Sequence, residues 1–147
     1  MIMLELIATL AASLFSGASI YVNLAEHPAR MECGTAPAIA QWAPSYKRGA
    51  MMQASLAAVG FLSATAAWML GRELDWLIGG VLLGLVIPFT LIVILPTNRK
   101  LLSPSLDKES SEAKQLLDRW GRLHAVRSLL SFSSFLFFVV SLSGSFR

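Results

Sequence analysis

The chain has 147 residues, of which 55% are apolar and only 14% are charged, and its mean hydropathy is +0.62. Because soluble domains carry about 25% charged residues, this composition excludes an ordinary soluble domain and indicates a membrane protein. The single cysteine, Cys33, excludes an intramolecular disulfide and a cysteine-based zinc site.

Four apolar segments are each long enough to cross a bilayer. A hydrocarbon core about 30 Å thick needs about 20 apolar residues in a helix. The sequence therefore predicts an all-α fold, an integral membrane four-helix bundle that forms one domain over residues 1–147. Its helices are expected at about residues 6–25, 45–70, 76–95 and 124–142.

The first segment has a second interpretation as a secretory signal peptide, with the small residues 16–18 as its cleavage site. Signal peptides begin with positive charge and have a shorter apolar region. Here Glu5 is the only charge before the segment and the apolar run reaches Ala25, which favours a retained helix. Pro28 is expected to end that helix, since proline disfavours helical geometry in the residue before it.

Prolines also mark the ends of the next two predicted helices. Pro44 suits the first turn of the second helix, where its missing N–H is tolerated. Pro88 should kink the third helix and Pro96 should end it. The polar segment that follows contains residues 112–122, which are expected to form a short interfacial helix before the fourth span.

Small residues recur along the first three helices and favour close helix packing. Gly80 and Gly84 form a small-x-x-x-small pattern, which is a common contact surface between helices in lipid. Packing inside one bundle is the favoured interpretation. A dimer interface is the alternative, so a homo-oligomer stays open.

Lysine and arginine are concentrated in two predicted loops, residues 26–48 and 96–123, whereas the opposite side has only Arg72 and Arg147. Short loops rich in these residues stay in the cytoplasm. The sequence therefore predicts a protein of the bacterial inner membrane with both loops cytoplasmic and both termini outside. This placement accounts for the net charge of +3 without nucleic acid, and the expected partner is the lipid bilayer.

Unusual polar and aromatic residues cluster at the predicted cytoplasmic helix ends. An even number of spans brings these ends to one face of the membrane, and ionisable groups inside spans normally face the bundle interior and mark functional sites. The sequence therefore predicts a polar pocket there. Its candidate residues are Glu26, His27, Arg30, Trp42, Tyr46, Arg48, Gln53, Asn98, Trp120, His124 and Arg127.

Several members of this set also have a purely structural interpretation. Trp42, Tyr46 and Trp120 could be aromatic anchors at headgroup depth. Glu26 could simply pair with Arg30 or Arg48. The whole set, drawn from four helix ends, exceeds what anchoring requires, so a functional pocket is favoured.

Two chemistries suit such a pocket. The triad of His27, His124 and Glu26 could bind non-haem iron or another divalent metal, although adjacent residues rarely point at the same ion. A histidine flanked by arginines could instead remove a proton from an acidic carbon or phenol and stabilise the anion, without a cofactor. The second chemistry is favoured. The sequence shows no Ser-His-Asp pattern, glycine-rich phosphate loop or redox cysteine pair.

The motifs at these helix ends resemble, in the same order, those of the anthrone oxygenase-like family. That family consists of small four-helix membrane proteins, many known only as a domain of unknown function. The resemblance covers nearly the whole chain. Its motifs are Tyr21-Val22 through Glu26-His27-Pro28-Ala29-Arg30, Trp42…Tyr46-x-Arg48, Pro96-Thr97-Asn98-x-x-Leu101 and Trp120-x-x-Leu123-His124-x-x-Arg127.

The resemblance implies an oxygenase that oxidises an anthrone to an anthraquinone with dioxygen and no classical cofactor. Its partners would then be a hydrophobic aromatic small molecule and dioxygen. The residues implied to be catalytic are His27, His124 and Glu26, with one histidine as the base. The residues implied to bind the substrate are Arg30, Trp42, Tyr46, Arg48, Gln53, Asn98, Trp120 and Arg127.

The competing class is a non-enzymatic lipid or small-molecule binding protein, or an accessory subunit. Its arginines would recognise a phosphate or carboxylate headgroup. A transporter is less favoured, because four helices without an internal repeat give little basis for alternating access. The molecules retained on purification distinguish the two leading classes: an organic pigment favours the enzyme and phospholipid alone favours the binder.

The charge asymmetry generates a topology prediction. A reporter that is active only in the cytoplasm should work when inserted near Ser110 and fail when fused after Arg147. Enzymatic activity of the reporter at each position, normalised to protein level, measures the orientation. The opposite pattern would reverse the assigned orientation while leaving the number of spans unchanged.

Overall fold

The computed structural model describes residues 1–145, which form four long helices and no strand. Each helix is long and apolar enough to cross a membrane, which confirms the all-α four-helix prediction. Their bounds are Ile2–Glu32 (α1), Thr35–Met69 (α2), Leu74–Leu101 (α3) and Ser111–Ser145 (α4), with π-helical turns at Val22–Glu26 in α1 and Thr90–Ile94 in α3.

Pro28 and Pro96 do not end their helices, and the prediction that they do is wrong. Each proline lies in the first turn of an α-helical segment, His27–Glu32 or Leu95–Leu101, that directly follows a π turn. A π turn accommodates one extra residue and shifts the backbone hydrogen bonds. The missing N–H of the proline then falls at a position where it is tolerated, so the helix continues.

Helices α2 and α4 begin earlier than predicted. Helix α2 starts at Thr35, so Pro44 lies inside it rather than in its first turn. The break before α2 is at Gly34, whose φ of +96° is accessible mainly to glycine. Residues 112–122 are helical as expected, but they are the first turns of α4 and not a separate interfacial helix, because no proline or turn interrupts Ser111–Ser145.

The four helices close into a ring in which each packs mainly against its two neighbours, with α1 against α4 completing the circuit. We call the end that carries the α1–α2 and α3–α4 connections the loop end, and the other the hairpin end. One apolar cluster fills the middle of the bundle around Phe15, Leu83 and Phe138. A second, containing Trp42 and Trp120, lies toward the loop end.

Glycines allow close approach between α2 and α3. A Cβ on Gly80 would lie 3.0 Å from the Cβ of Ala64, and a Cβ on Gly84 would lie 3.0 Å from the Phe61 ring. Both glycines of the small-x-x-x-small pattern therefore face α2. Their contacts agree with the favoured interpretation of packing inside the bundle.

An ion pair connects two elements at the hairpin end. The fully buried Glu5 of α1 accepts a hydrogen bond of 2.5 Å from Nε of Arg72, in the turn between α2 and α3. The pairing gives the buried carboxylate a counter-charge, which such a group requires in an apolar setting. The ion pair therefore connects the start of α1 to the α2–α3 hairpin.

Gly79 generates a stability prediction. A Cβ there would lie 2.5 Å from Cε1 of Phe138, whose ring stacks on Trp76 at 5.3 Å. Gly79→Ala should destabilise the bundle by about 1–3 kcal/mol, the usual effect of overpacking a core. Reversible unfolding in mixed micelles, followed by circular dichroism, measures the change.

Gly17→Ala is the matched control, because a Cβ at this helical glycine meets nothing within 4 Å. It should leave stability unchanged or raise it slightly, since alanine favours helix more than glycine does. Equal stability of the two variants would contradict the close contact between Gly79 and Phe138.

Candidate functional site

The structure places most of the predicted site residues around the loop end. They come from the last turns of α1, the first half of α2, the end of α3 and the middle of α4, as the four-span arrangement requires. Arg48 is exposed and Tyr46 and Glu26 are partly exposed. The buried members are His27, Arg30, Trp42, Gln53, Asn98, Trp120, His124 and Arg127.

Trp120 lies at the centre of an aromatic and cationic cluster. Its ring is 5.2 Å from the imidazole of His27 and 4.8 Å from that of His124, centroid to centroid. The guanidinium of Arg30 lies 5.7 Å from the ring centroid, within cation–π range. Trp42 meets Trp120 edge to face at 5.9 Å. Trp120 therefore contacts both histidines.

Asn23 holds His124 in one orientation. The Asn23 Oδ1 atom lies 2.9 Å from Nδ1 of His124 and accepts a 2.6 Å hydrogen bond from the Ser128 hydroxyl. The Asn23 amide nitrogen donates to the carbonyl of Gly121 at 3.1 Å, which fixes the direction of the amide. Because an amide oxygen only accepts, Nδ1 of His124 carries the proton, and Nε2 keeps the lone pair that a base needs.

Gly121 lets His27 pack against α4. A Cβ at Gly121 would lie 2.7 Å from both Cδ2 and Nε2 of His27, too close for any side chain. The His27 ring also contacts the backbone of Leu117, one turn earlier in α4, and its Nδ1 is buried without a hydrogen-bond partner. His27 is therefore enclosed by protein, against Gly121 and the Trp120 ring.

Arg127 is buried and forms no ion pair with a carboxylate of residues 1–145. Its Nη2 donates to Oε1 of Gln53 at 2.7 Å, and the Gln53 amide nitrogen donates to the Ser19 hydroxyl at 3.1 Å. The guanidinium lies 5.4 Å from the Phe15 ring centroid, while its Nε has no hydrogen-bond partner. A buried cation without an anionic partner is unfavourable by several kcal/mol. The charge of Arg127 is therefore available to an anionic ligand.

Glu26 is bound by three donors and does not join the two histidines. Its Oε1 accepts from Arg30, from Gln41 at 2.9 Å and from Ser45 at 2.7 Å. These contacts tie the end of α1 to α2. Glu26 and Arg48 line an open groove between α1 and α2. The catalytic role of Glu26 stays a prediction. In the structure, its carboxylate connects α1 to α2.

Trp42 and Asn98 are fully buried with unsatisfied polar atoms. Trp42 stacks on Tyr46 with ring centroids 5.0 Å apart, and its Nε1 has no partner. Both polar side-chain atoms of Asn98 also lack partners. Trp42 exposes no surface, so its role in the structure is to pack against the Tyr46 ring. Contact of either residue with a substrate stays a prediction.

A small cavity of about 40 Å³ connects His124 to Arg127. It is bordered by Tyr46, Gln53 and Trp120. The cavity combines a histidine, a cation, an amide and two aromatic rings. These groups can remove a proton and stabilise the anion that remains.

The metal alternative depends on whether His27, His124 and Glu26 can meet. The two imidazoles pack against Trp120, and the Glu26 carboxylate is bound to Arg30. Within residues 1–145, no group of three or more His, Cys, Asp or Glu side chains is placed to hold a metal ion. The residues of the proposed triad therefore do not form a ligand set in this arrangement.

These features define a bundle of four membrane-capable helices with a buried histidine, arginine and aromatic cluster. The chain belongs to the anthrone oxygenase family, whose sequence profile matches residues 42–137. Anthrone oxygenase tpcL of Aspergillus fumigatus (strain ATCC MYA-4609 / CBS 101355 / FGSC A1100 / Af293) is 28% identical over 132 residues, covering 83% of this chain and 82% of the fungal protein. No solved structure gives a significant match. The predicted family is confirmed.

Three site residues were not predicted from the sequence: Asn23, Gly121 and Ser128. Asn23 lies in the π turn and follows the buried Ser16 and Ser19 of α1 at ordinary helical spacing. The available signal was an amide in an apolar segment, which requires a partner there. Ser128 and Gly121 gave no such signal, because small residues are common in membrane helices.

The hydrogen bond to Asn23 generates a prediction about the tautomer of His124. In ¹⁵N-histidine-labelled protein, the Nδ1 of His124 should be protonated and its Nε2 should not, since the Asn23 oxygen only accepts. Asn23→Ala should remove this preference, whereas Asn23→Asp should retain it. Nitrogen NMR shifts measure the tautomer, and a His27→Gln variant assigns the two signals. A protonated Nε2 in the wild type would contradict the arrangement.

Proposed function

We propose that this protein is a membrane-embedded oxygenase that acts on a flat, anthrone-like aromatic substrate by histidine-assisted proton abstraction and reaction with dioxygen. One observation carries the proposal: the Asn23 contact leaves Nε2 of His124 unprotonated in a cavity shared with Arg127. Membership of the anthrone oxygenase family and the name of the fungal relative support the same reaction class.

The chemistry needs a base and a cation but little else. An anthrone has an acidic benzylic C–H, and removing that proton spreads negative charge onto its carbonyl oxygen. His124 would take the proton through Nε2, and the guanidinium of Arg127 would stabilise the oxyanion. The carbanion would then reduce dioxygen and form a C–O bond, taking a proton back from the imidazolium. Loss of water gives the quinone, so one dioxygen is consumed and one water is released.

The assignment favours His124 over His27 as the base. His124 borders the cavity that contains Arg127, whereas His27 does not border it and is packed against Gly121. His27 would therefore position Trp120 and Arg30. A cofactor is not required by this chemistry, and a role for iron or another divalent metal is the alternative that a chelator tests.

We also propose that the reaction takes place in the bacterial inner membrane, with the loop end in the cytoplasm. The apolar helices support insertion, and the concentration of lysine and arginine in and near 26–48 and 96–123 supports the orientation. A flat aromatic substrate partitions into lipid, so a membrane enzyme meets it at high local concentration.

A second candidate function is a lipid or small-molecule binder. The observation in its favour is the open groove of about 590 Å³ between α1 and α2, lined by Arg48, Glu26 and Gln41. An exposed arginine beside an apolar groove suits a phosphate or carboxylate headgroup. Native mass spectrometry separates the two candidates, since a bound phospholipid without any dioxygen consumption would favour the binder.

The proposed function predicts the effect of removing the base. His124→Gln should lower the rate of dioxygen uptake with anthrone by about 10²- to 10⁴-fold, the usual contribution of a general base. Arg127→Lys should also lower the rate, because a compact ammonium does not reproduce the guanidinium fork. An oxygen electrode measures the rate in membranes that contain equal amounts of folded protein.

Cys33→Ser is the control for these variants, because Cys33 is exposed and outside the cavity. It should retain the wild-type rate. Full activity of His124→Gln would contradict the base assignment. Loss of activity with a chelator, restored by iron, would favour the metal alternative over a cofactor-independent reaction.

A further inference from the structure

A larger cavity of about 160 Å³ lies between α2 and α3, next to the His124 cavity. Its wall on α2 contains the small residues Ala50 and Ala54, and its wall on α3 contains Ile87, Thr90 and Leu91. Most of the lining side chains are apolar, and Tyr46 and Thr90 add hydroxyl groups. The charged group is Arg127, which borders the cavity from α4.

This cavity opens sideways, toward the surface that the bilayer would cover. Ala54 is exposed, and Leu91 at the rim has 59% of its surface exposed. The rim is apolar, so it suits contact with lipid rather than with water. Because Ala50 and Ala54 are small, α2 leaves a gap beside α3 that larger side chains would fill.

The second π turn, Thr90–Ile94, forms part of the α3 wall. The Thr90 hydroxyl donates to the carbonyl of Val86 at 2.6 Å, which satisfies a carbonyl just before the turn. A π turn widens the helix by one residue, and such turns occur frequently at functional sites. Its position beside an arginine-containing cavity is consistent with a binding role.

Arg127 connects this cavity to the one that contains His124. Tyr46, Ala50 and Arg127 border both of them. A molecule that enters between α2 and α3 therefore meets Arg127 and adjoins the cavity that His124 borders. The unpartnered Nε of Arg127 gives the guanidinium capacity for a further acceptor.

We propose that the gap between α2 and α3 is the lateral entrance and binding site for the substrate, a flat apolar aromatic molecule with one acidic oxygen. This inference rests on the proposed function and adds the route and the recognition element. The molecule leaves the bilayer past Ala54 and places its ionisable oxygen on Arg127. Its acidic carbon then points to the His124 cavity.

The volumes decide how much of the molecule is enclosed. A cavity of about 150 Å³ accepts benzene. The 160 Å³ cavity therefore holds about one aromatic ring, and the adjoining 40 Å³ is too small for another without side-chain movement. A three-ring substrate would consequently keep its outermost ring at the rim, among the exposed apolar side chains. Substituents on that ring should be tolerated.

The test is a binding experiment that does not depend on turnover. Ala54→Phe fills the entrance from an exposed position, so folding should be retained. Purified full-length protein in lipid nanodiscs is titrated with 1,8-dihydroxyanthraquinone under nitrogen, and tryptophan fluorescence reports binding. Ala54→Phe should raise the Kd by about tenfold or more, equivalent to about 1.4 kcal/mol. The control Ser55→Phe lies one residue away, is exposed and is outside this cavity, so its Kd should match the wild type.

A second titration isolates the role of the charge. Arg127→Gln should weaken binding of the dihydroxyanthraquinone but not of anthracene, which has no oxygen to pair with a guanidinium. Equal loss for both molecules would show that Arg127 only shapes the cavity and would overturn the recognition element.

The outcomes separate the entrance from the reaction. If the wild type binds the probe, Ala54→Phe does not, and neither protein consumes dioxygen, the entrance is supported and the oxygenase is overturned. If the wild type consumes dioxygen and Ala54→Phe has the same Kd and the same rate, the entrance is overturned and the oxygenase is retained. A third outcome is that the wild type retains a phospholipid that the probe does not displace and that Ala54→Phe loses. This outcome overturns the entrance in favour of a lipid site.

Discussion

A buried guanidinium that pairs with a neutral amide sets the main physical constraint on this bundle. Arg127 lies within a helix suited to an apolar medium, and it donates a hydrogen bond to the neutral oxygen of Gln53. An apolar medium penalises an uncompensated charge by several kcal/mol. The Gln53–Ser19 bond, the Phe15 ring and the adjoining cavities all serve to accommodate this charge or to leave room for an anion beside it.

The arrangement around His124 follows from the same requirement for paired polar groups. The Asn23 amide uses its nitrogen on the backbone of Gly121 and its oxygen on His124 and Ser128, which leaves none of its polar atoms without a partner. The histidine is thereby fixed by a hydrogen bond to a neutral amide rather than to a carboxylate. A negative charge beside the imidazole would favour its protonated form, whereas a neutral amide leaves it free to accept a proton.

Much of the fold was predictable from the sequence, because hydrophobic runs of sufficient length leave few alternatives. The gathering of polar residues at one end followed from the even number of spans. The helix ends were harder to predict: Pro28 and Pro96 were expected to end their helices, but each lies in the first turn of an α-helical segment that follows a π turn. Asn23 lies at ordinary helical spacing from the buried Ser16 and Ser19, but spacing within one helix does not identify its partner His124 on α4.

The π turn at Val22–Glu26 has a consequence for the history of the chain. It accommodates one residue more than an α turn, so deleting one residue there would let the turn become an α turn. His27 and Arg30 would then keep their places against Trp120. In an alignment of relatives, a single-residue gap at this point would thus be compatible with the same pocket, whereas a gap in a regular α-helical part of α1 would rotate the residues beyond it by about 100°.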